Sequence, residues 1–312
     1  MSQAIDVSVC IVSYNTRRIL EECIESVRRH TVKSSYEIIV VDNHSNDGTI
    51  DFLTAPTCSV RTILNDENVG FAKASNQALA LACGRFVLFL NPDTRLLNDA
   101  IDRCVSFLGG KMHSDVATCK IVNPQGVVQI PVRDKTFFLI RIQAILHLKL
   151  ARFFTRSRSL QKALQQGFQV DTIQCADYVT GTFLLARSDF LRGLGMFDER
   201  YFLYSEDMDL SLRIRRHGGS LHYYPEAQIL HVGGISSKQV HSQAYDQFLL
   251  SRYKFYRKNF GLIKALAFRC LVGLGSFIRL VQTGPTRRDD AGRHWRALMW
   301  ASHLRKARDI TT

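Results

Sequence analysis

The chain has 312 residues, 46% hydrophobic and 22% charged. That suffices for one large domain or two modest ones with a real core, and it excludes disordered, collagenous and disulfide-scaffold classes. The net charge of +13 is concentrated: residues 133–162 carry net +7 and residues 252–312 net +11, which leaves the remainder at −5.

In chain order, Val7–Ser13 (VSVCIVS) is a short continuous apolar run, the pattern of a buried parallel strand. Residues 17–30 form a polar amphipathic stretch that predicts a helix, and 37–42 (EIIVVD) predict a second strand ending in an acid. Residues 43–48 are dense in Asn, Asp, Ser and Gly, which is turn chemistry. A weaker strand at 60–64, an Ala-rich helix at 70–83 and a strand at 85–90 (RFVLFL) follow. Strands alternating with helices argue for a parallel α/β sheet, so the first part reads as a nucleotide-binding half-domain.

The next part is more mixed. Strands are expected at 116–121 and 127–130 around an Asn-Pro-Gln-Gly turn, and at 178–186. Ser205 is expected to cap a helix whose first turn holds Glu206 and Asp207 and whose last turn holds Arg213, Arg215 and Arg216. Residues 240–281 and 291–308 read as helices. The stretch 137–168 and residues 255–281 are basic and amphipathic. In the latter, Leu262, Leu266, Phe268, Leu271, Leu274, Phe277, Ile278 and Val281 form an apolar face broken by Lys264, Arg269 and Arg279. Both segments are expected to lie on an anionic membrane rather than cross it, or to pack on the protein. No nucleic-acid-binding motif accompanies the charge, so no nucleic-acid partner is expected.

The start of the chain lacks a basic n-region and Asp6 interrupts its first apolar stretch, so no signal peptide is read there. Eight cysteines without a CxxC pair read as reduced, buried thiols of a cytosolic protein, with no zinc site.

Three constellations carry chemistry. Asp42 closes the second strand and Asn91-Pro92-Asp93 the fourth. Carboxylates at strand ends reach ribose hydroxyls or hold a divalent cation bridging phosphates. Glu206, Asp207 and Asp209 crowd one helix start. Asp207 and Asp209 are two residues apart, so one is free to face a cleft while the other braces a loop. His231 stands before Gly233 and Gly234, and a neutral imidazole there suits an Mn²⁺-type ion. Each has a bland reading: a solvated turn, a helix-stabilising acidic cluster, and a satisfied histidine.

Together, the ordered segments IVSYN (11–15), VVDNHSNDGT (40–49), NVGFAKASNQAL (68–79), LFLNPD (88–93), YVTGTFLLARSDF (178–190), FDERYFLYSEDMDLSLRIRRHG (197–218) and HVGGIS (231–236) resemble the family 2 glycosyltransferases, most nearly their bacterial rhamnosyltransferase-like branch. The resemblance covers about residues 5–240. It implies an α/β GT-A type mixed sheet flanked by helices, with C-terminal basic amphipathic helices. The catalytic domain would span 1–240, with a nucleotide-binding half at 1–110, an acceptor half at 111–240 and a basic insertion at 133–168. A basic helical region would follow at 241–312.

The resemblance also implies an inverting enzyme with a nucleotide-diphosphate sugar donor and a divalent metal, Mg²⁺ or Mn²⁺. By that likeness Ser13, Tyr14 and Asn15 flank the nucleoside, Asp42 and Asn43 contact base or ribose, and Asn68, Gly70 and Asn76 belong to the segment closing over the nucleotide and diphosphate. Asn91 stands where the family's metal motif has its first Asp, leaving Asp93 and His231 as metal ligands. Asp207, paired with Glu206, matches the catalytic base, and Tyr178 to Thr182 and Tyr201 to Tyr204 are expected to shape the pocket. The expected donor is dTDP-rhamnose or else a UDP-hexose, and the acceptor a glycan or polyprenyl-diphosphate-linked glycan at the inner face of the plasma membrane. Oligomeric state stays open. A nucleotidyltransferase and an inactive membrane-bound binding module are the competing readings.

Overall fold

The structure is a computed structural model in which residues 4–110, 114–129, 132–133, 169–233, 241–283 and 288–302 are described. The described residues divide into two units, one within 1–134 and 170–240, the other within 135–169 and 241–312.

In the first unit, apolar runs become the central strands. These are β1 (Val7–Ser13), β2 (Tyr36–Asp42), β3 (Arg61–Leu64) and β4 (Phe86–Leu90). The buried runs of β1, β2 and β4 fit strands covered on both faces, whereas β3, at the sheet edge, exposes Arg61 and Leu64. Then come β5 (Thr94–Leu96), β6 (Val116–Val122), β7 (Val128–Gln129), β8 (Val132–Arg133), β9 (Gln174–Cys175), β10 (Tyr178–Val179), β11 (Phe183–Arg187) and β12 (Leu221–His231). The main sheet has the order β3-β2-β1-β4-β11-β6-β12-β5, with β7 beside β6 and β9 beside β12. Strands β1, β2, β3 and β4 pair in parallel, β11 runs against β4 and β6, and β12 runs parallel to β6. The carboxyl ends of β1, β2, β4, β6 and β12 therefore share one edge. Strand order reverses between β1 and β4, which opens a crevice at that edge.

Helices α1 (Arg17–His30), α2 (Thr49–Thr54), α3 (Phe71–Leu81), α4 (Ala100–Gly110), α5 (Ser188–Gly193) and α6 (Glu206–Arg216) flank the sheet. Helix α1 buries Leu20, Cys23, Ile24 and Val27, a three- and four-residue spacing that makes one apolar stripe. Such side chains contribute about 1.5–3 kcal/mol each when fully buried. They meet Ile11, Val40, Leu88, Leu90 and Ile121 in one core.

The second unit contains α7 (His241–Phe260), α8 (Leu262–Thr283) and α9 (Arg288–Ser302). The single helix expected over 240–281 is two, because Gly261 adopts φ +87° between them. Phe268 packs on Tyr256 and Trp300, with ring centroids 5.1 and 6.4 Å apart. Phe268, read as part of the apolar face of α8, and Arg269, read as breaking it, are both buried. Arg269 donates to the carbonyls of Ala301 (3.1 Å) and Trp300 (2.7 Å), capping the last turn of α9.

Three further readings change. The strand expected over 178–186 is interrupted: β10 pairs with β8 in a separate two-stranded sheet, and β11 joins the main one. Ser205 does not cap α6 with its side chain, because its backbone is left-handed (φ 69°), and the Asp207 carboxylate accepts from the Met208 N–H instead (2.8 Å). Cys83, Cys175 and Cys270 are exposed, whereas Cys10, Cys23, Cys58, Cys104 and Cys119 are buried. Burial pushes the Cys23 thiol up to about 12, so it stays protonated and unreactive. The basic insertion lies, apart from Arg133, outside the described residues, as does the final helix beyond Ser302.

Candidate active site

The crevice at the carboxyl edge is lined by loops that brace one another. After β1, Asn15 turns into the left-handed region (φ 52°). Its N–H donates to Ser45 Oγ (2.8 Å), and its Oδ1 accepts from Asn46 N (2.8 Å). Ser13 bonds Thr16 through their hydroxyls (2.9 Å) and accepts the Asn43 N–H on its carbonyl (2.9 Å). Tyr14 is half-buried between them.

Asp42 is fully buried, and both its carboxylate oxygens accept from Ser45, at 2.8 and 2.6 Å. It holds the 42–45 turn in shape and thereby supports Asn15. Asn43 donates to the Gly70 carbonyl (3.2 Å) and accepts from Asn65 (2.9 Å).

Asn68 Oδ1 accepts the Gly70 N–H (3.0 Å), which closes the turn before α3. Gly70 has φ +84°, and a Cβ there would sit 2.4 Å from the Phe202 carbonyl oxygen, the atom that accepts the Phe71 N–H at 2.7 Å. Gly70→Ala is therefore expected to cost about 1–3 kcal/mol, from left-handed strain and the backbone clash. Gly181→Ala, whose Cβ would meet nothing closer than 3.7 Å, serves as its control. Thermal unfolding of the two variants checks this. Asn76 joins α3 to the 197–199 loop, donating to Phe197 O and Glu199 (both 2.9 Å) and accepting Phe197 N–H (3.0 Å).

Asp93 follows β4 with Asn91 and Pro92. Its Oδ1 lies 3.3 Å from His231 Nε2, and its carbonyl accepts the Val232 N–H (3.0 Å). The approach follows from topology: β5 pairs antiparallel with the end of β12, setting Thr94 opposite His231. His231 Nδ1 lies 2.8 Å from Gln129 Oε1, while the Gln129 amide nitrogen donates to the His231 carbonyl (3.4 Å). That orientation makes Nδ1–H the donor to Gln129 and turns the Nε2 lone pair toward Asp93. Two acceptors so close are held together by a shared proton or a cation.

Among the described residues no cluster of three or more His, Cys, Asp or Glu side chains forms a ready-made metal cage. The Asp93–His231 pair nonetheless fits Mg²⁺ or Mn²⁺. Two donors on one octahedral ion at a right angle stand about 3 Å apart, and such ions complete their shell with water and phosphate oxygens.

Asp207 lies in the first turn of α6, entered through two successive left-handed residues, Tyr204 and Ser205 (both φ 69°). Its Oδ2 accepts from the Tyr178 hydroxyl (2.7 Å) and the Gly181 N–H (3.2 Å), and its Oδ1 from Met208 N. The 178–182 segment is tied to the Asn91-Pro92-Asp93 turn by Asn91 N–H donating to Thr182 O (3.1 Å). The Asp93–His231 pair and the Asp207 cradle thus belong to one connected edge. Glu206 is buried beside the half-buried Asp207.

Asp209 takes the bracing role. It is fully buried, ion-paired with Arg213 (2.9 Å) and accepts from Tyr201 OH (3.3 Å), while Arg213 also donates to the carbonyls of Leu194 and Met196. Burial, with the Asp209 charge beside it, pushes the Tyr201 hydroxyl far above the usual tyrosine range, so Tyr201 remains a neutral donor.

A separate surface cleft of about 620 Å³, lined by Arg28, Tyr36, Glu37 and Arg61, opens at the amino ends of β2 and β3, away from this edge. Burial would raise the Glu37 carboxyl there, but the Cys83 N–H, Arg61 and Ser8 outweigh it and hold it below the usual glutamate range. The Glu37–Arg61 ion pair (2.8 Å) lies in its wall.

The family model described as Glycosyl transferase family 2 matches residues 8–190. The chain is 26% identical over 266 residues to the rhamnosyltransferase WbbL of Escherichia coli K12, covering 80% of this chain and 92% of that one. It is also 26% identical over 234 residues to an N-acetylglucosaminyl-diphospho-decaprenol L-rhamnosyltransferase of Mycobacterium tuberculosis, covering 72% of this chain and 75% of that one. Among solved structures, a mannosyltransferase of Pyrobaculum calidifontis in complex with GDP-Man and Mn²⁺ matches with TM-score 0.56 and 16% identity, over 99% of this chain and 84% of that one.

Proposed function

The chain belongs to glycosyltransferase family 2 and has the GT-A fold, and from that premise we propose an inverting, metal-dependent transfer of rhamnose from dTDP-rhamnose to a lipid-linked glycan in cell-surface polysaccharide synthesis. The observation that carries it is the single edge joining the Asp93–His231 pair to the Asp207 cradle. The rhamnosyl donor and the polyprenyl-diphosphate-linked acceptor are supported by the two rhamnosyltransferase relatives, one of them named for a diphospho-decaprenol substrate. A reaction at the inner face of the plasma membrane is part of the same proposal. A UDP-hexose is the competing donor.

In this proposal Asp93 Oδ1 and His231 Nε2 hold the divalent ion, and Gln129 fixes the ring tautomer that exposes Nε2. When bound, the ion stabilises negative charge growing on the departing nucleoside diphosphate. Tyr14, Asn15, Asn43 and Asn68 line the nucleoside side of the crevice.

The acceptor hydroxyl oxygen bonds to the anomeric carbon as the bond from that carbon to the diphosphate oxygen breaks, and the bonding pair leaves with the diphosphate. The hydroxyl proton passes to Asp207. Oδ2 already accepts from Tyr178 and Gly181, whereas Oδ1 accepts from Met208 N–H alone, so Oδ1 is the oxygen with a site for that proton. Tyr178 and Gly181 hold the carboxylate in place.

Incubation of the full chain with dTDP-rhamnose and Mn²⁺ tests the reading. Release of dTDP, absent without a divalent ion, is the expected result. Release of rhamnose 1-phosphate instead of dTDP, or of pyrophosphate when dTTP and rhamnose 1-phosphate are supplied in place of the donor, would identify a nucleotidyltransferase, and binding without turnover, even with a polyprenyl-diphosphate glycan present, an inactive module.

A further inference from the structure

We propose that the outward face of α8 is a docking surface for an anionic phospholipid bilayer. On α8, Ile263, Ala267, Cys270, Leu274, Phe277 and Val281 recur at steps of four, three, four, three and four, and all six are exposed. Ile263 is 85% exposed, Leu274 51%, Phe277 54% and Val281 69%. At 3.6 residues per turn these positions fall within about 40° of one line along the helix. Leu266, Leu271 and Ile278, all partly buried, widen the stripe on either side.

The opposite face is packed. Ala265, Phe268, Val272 and Ser276 are buried, and a Cβ on Gly273 would lie 2.9 Å from Ala301 Cβ. Arg269 would interrupt the stripe in a sequence-only reading, but it turns inward onto the α9 carbonyls, and the outer stripe contains no charge. An apolar stripe running the length of a 22-residue helix in water calls for an occupant.

Charge selects the occupant. No acidic residue lies between Asp246 and Asp289, and residues 252–312 carry net +11. Lys264 flanks the stripe at its amino end, its Nζ 5.1 Å from the Phe260 ring centroid. A second copy would bring a segment of the same net positive charge against this one. Anionic head groups complement it, with the apolar residues seated at the acyl boundary. Among the described residues no helix is long and apolar enough to cross a membrane, so α8 lies in the plane of the surface.

The test uses the full chain and the native Cys270 thiol, with Cys83 as an exposed reference on the other unit. Vesicles of phosphatidylglycerol and phosphatidylcholine are expected to slow modification of Cys270 by a charged maleimide roughly tenfold, leaving Cys83 unchanged. Vesicles of phosphatidylcholine alone should protect far less. Leu274→Asp with Phe277→Asp should abolish both protection and cosedimentation while helicity by circular dichroism is kept, and Lys264→Glu should weaken binding and its salt dependence.

Unchanged Cys270 reactivity at saturating anionic lipid overturns the proposal. So does protection that appears without vesicles and rises with protein concentration, which would assign the stripe to a second copy. Neither outcome touches turnover of a soluble donor, so failure here is distinct from failure of the sugar-transfer reading.

Discussion

Asp207→Asn is expected to lower sugar transfer by about 10²–10⁴-fold, the usual contribution of a positioned general base, while donor affinity stays near wild type. The substitution preserves size but removes the charge that takes the acceptor proton. It also sets an amide NH₂ against one of the donors from Tyr178, Gly181 and Met208 that now converge on the carboxylate. The check pairs initial rates of dTDP release with calorimetric binding of the donor. Full turnover by the variant would remove Asp207 from the mechanism. Equal loss of binding and rate would instead give it a role in shaping the donor pocket.

Asp93→Ala should abolish the metal dependence of nucleotide binding, so that dTDP titrations with and without Mn²⁺ coincide. The reason is the composition of the proposed site: there Asp93 and His231 would be the two protein donors, and the alanine leaves a single imidazole. Gln129→Leu provides the graded case. It removes the acceptor that sets the His231 tautomer and is expected to cost about 10–100-fold in metal affinity, the usual effect of losing an outer partner of a ligating histidine. Calorimetry with Mn²⁺ and dTDP reads both. A Gln129→Leu protein that binds Mn²⁺ like wild type would leave the hydrogen bond without a role in the site.

Much of this edge was legible because sheet strands and the turns that end them leave local traces. The apolar runs at Val7–Ser13 and Phe86–Leu90 mark buried strands, and an acid or an Asn-Pro-Asp turn at their ends marks the ligand edge. The two-residue offset between Asp207 and Asp209 keeps them off a common helix face; Asp209 is buried against Arg213, and Asp207 is half-buried against Tyr178 and Gly181. Other features depend on long-range pairing.

Gln129 sits in a two-residue strand and gains its role because β7 pairs with β6, which itself pairs with β12, placing Gln129 beside His231. No short-range signal marks it. The Tyr178 hydroxyl reaches Asp207 across 29 residues, and its sequence context suggested only a pocket wall.

Asp42 and Asn76 have a further role that residue type alone does not reveal. Their side chains hold together the loops on which they stand. Ser205 looked like a cap by residue type, yet two left-handed residues before α6 redirect its side chain. Arg269 looked like a break in an apolar face, and the carbonyls ending α9 turn it inward.

A crystal structure with Mn²⁺ and a bound dTDP-sugar tests the reaction centre most directly, because manganese is located by its anomalous scattering. The ion should lie between Asp93 Oδ1 and His231 Nε2, in contact with the diphosphate, with the Asp207 carboxylate facing the anomeric carbon from the side opposite the leaving oxygen. Manganese elsewhere, or an anomeric carbon that Asp207 does not face, would contradict the assignment of these residues to one inverting transfer.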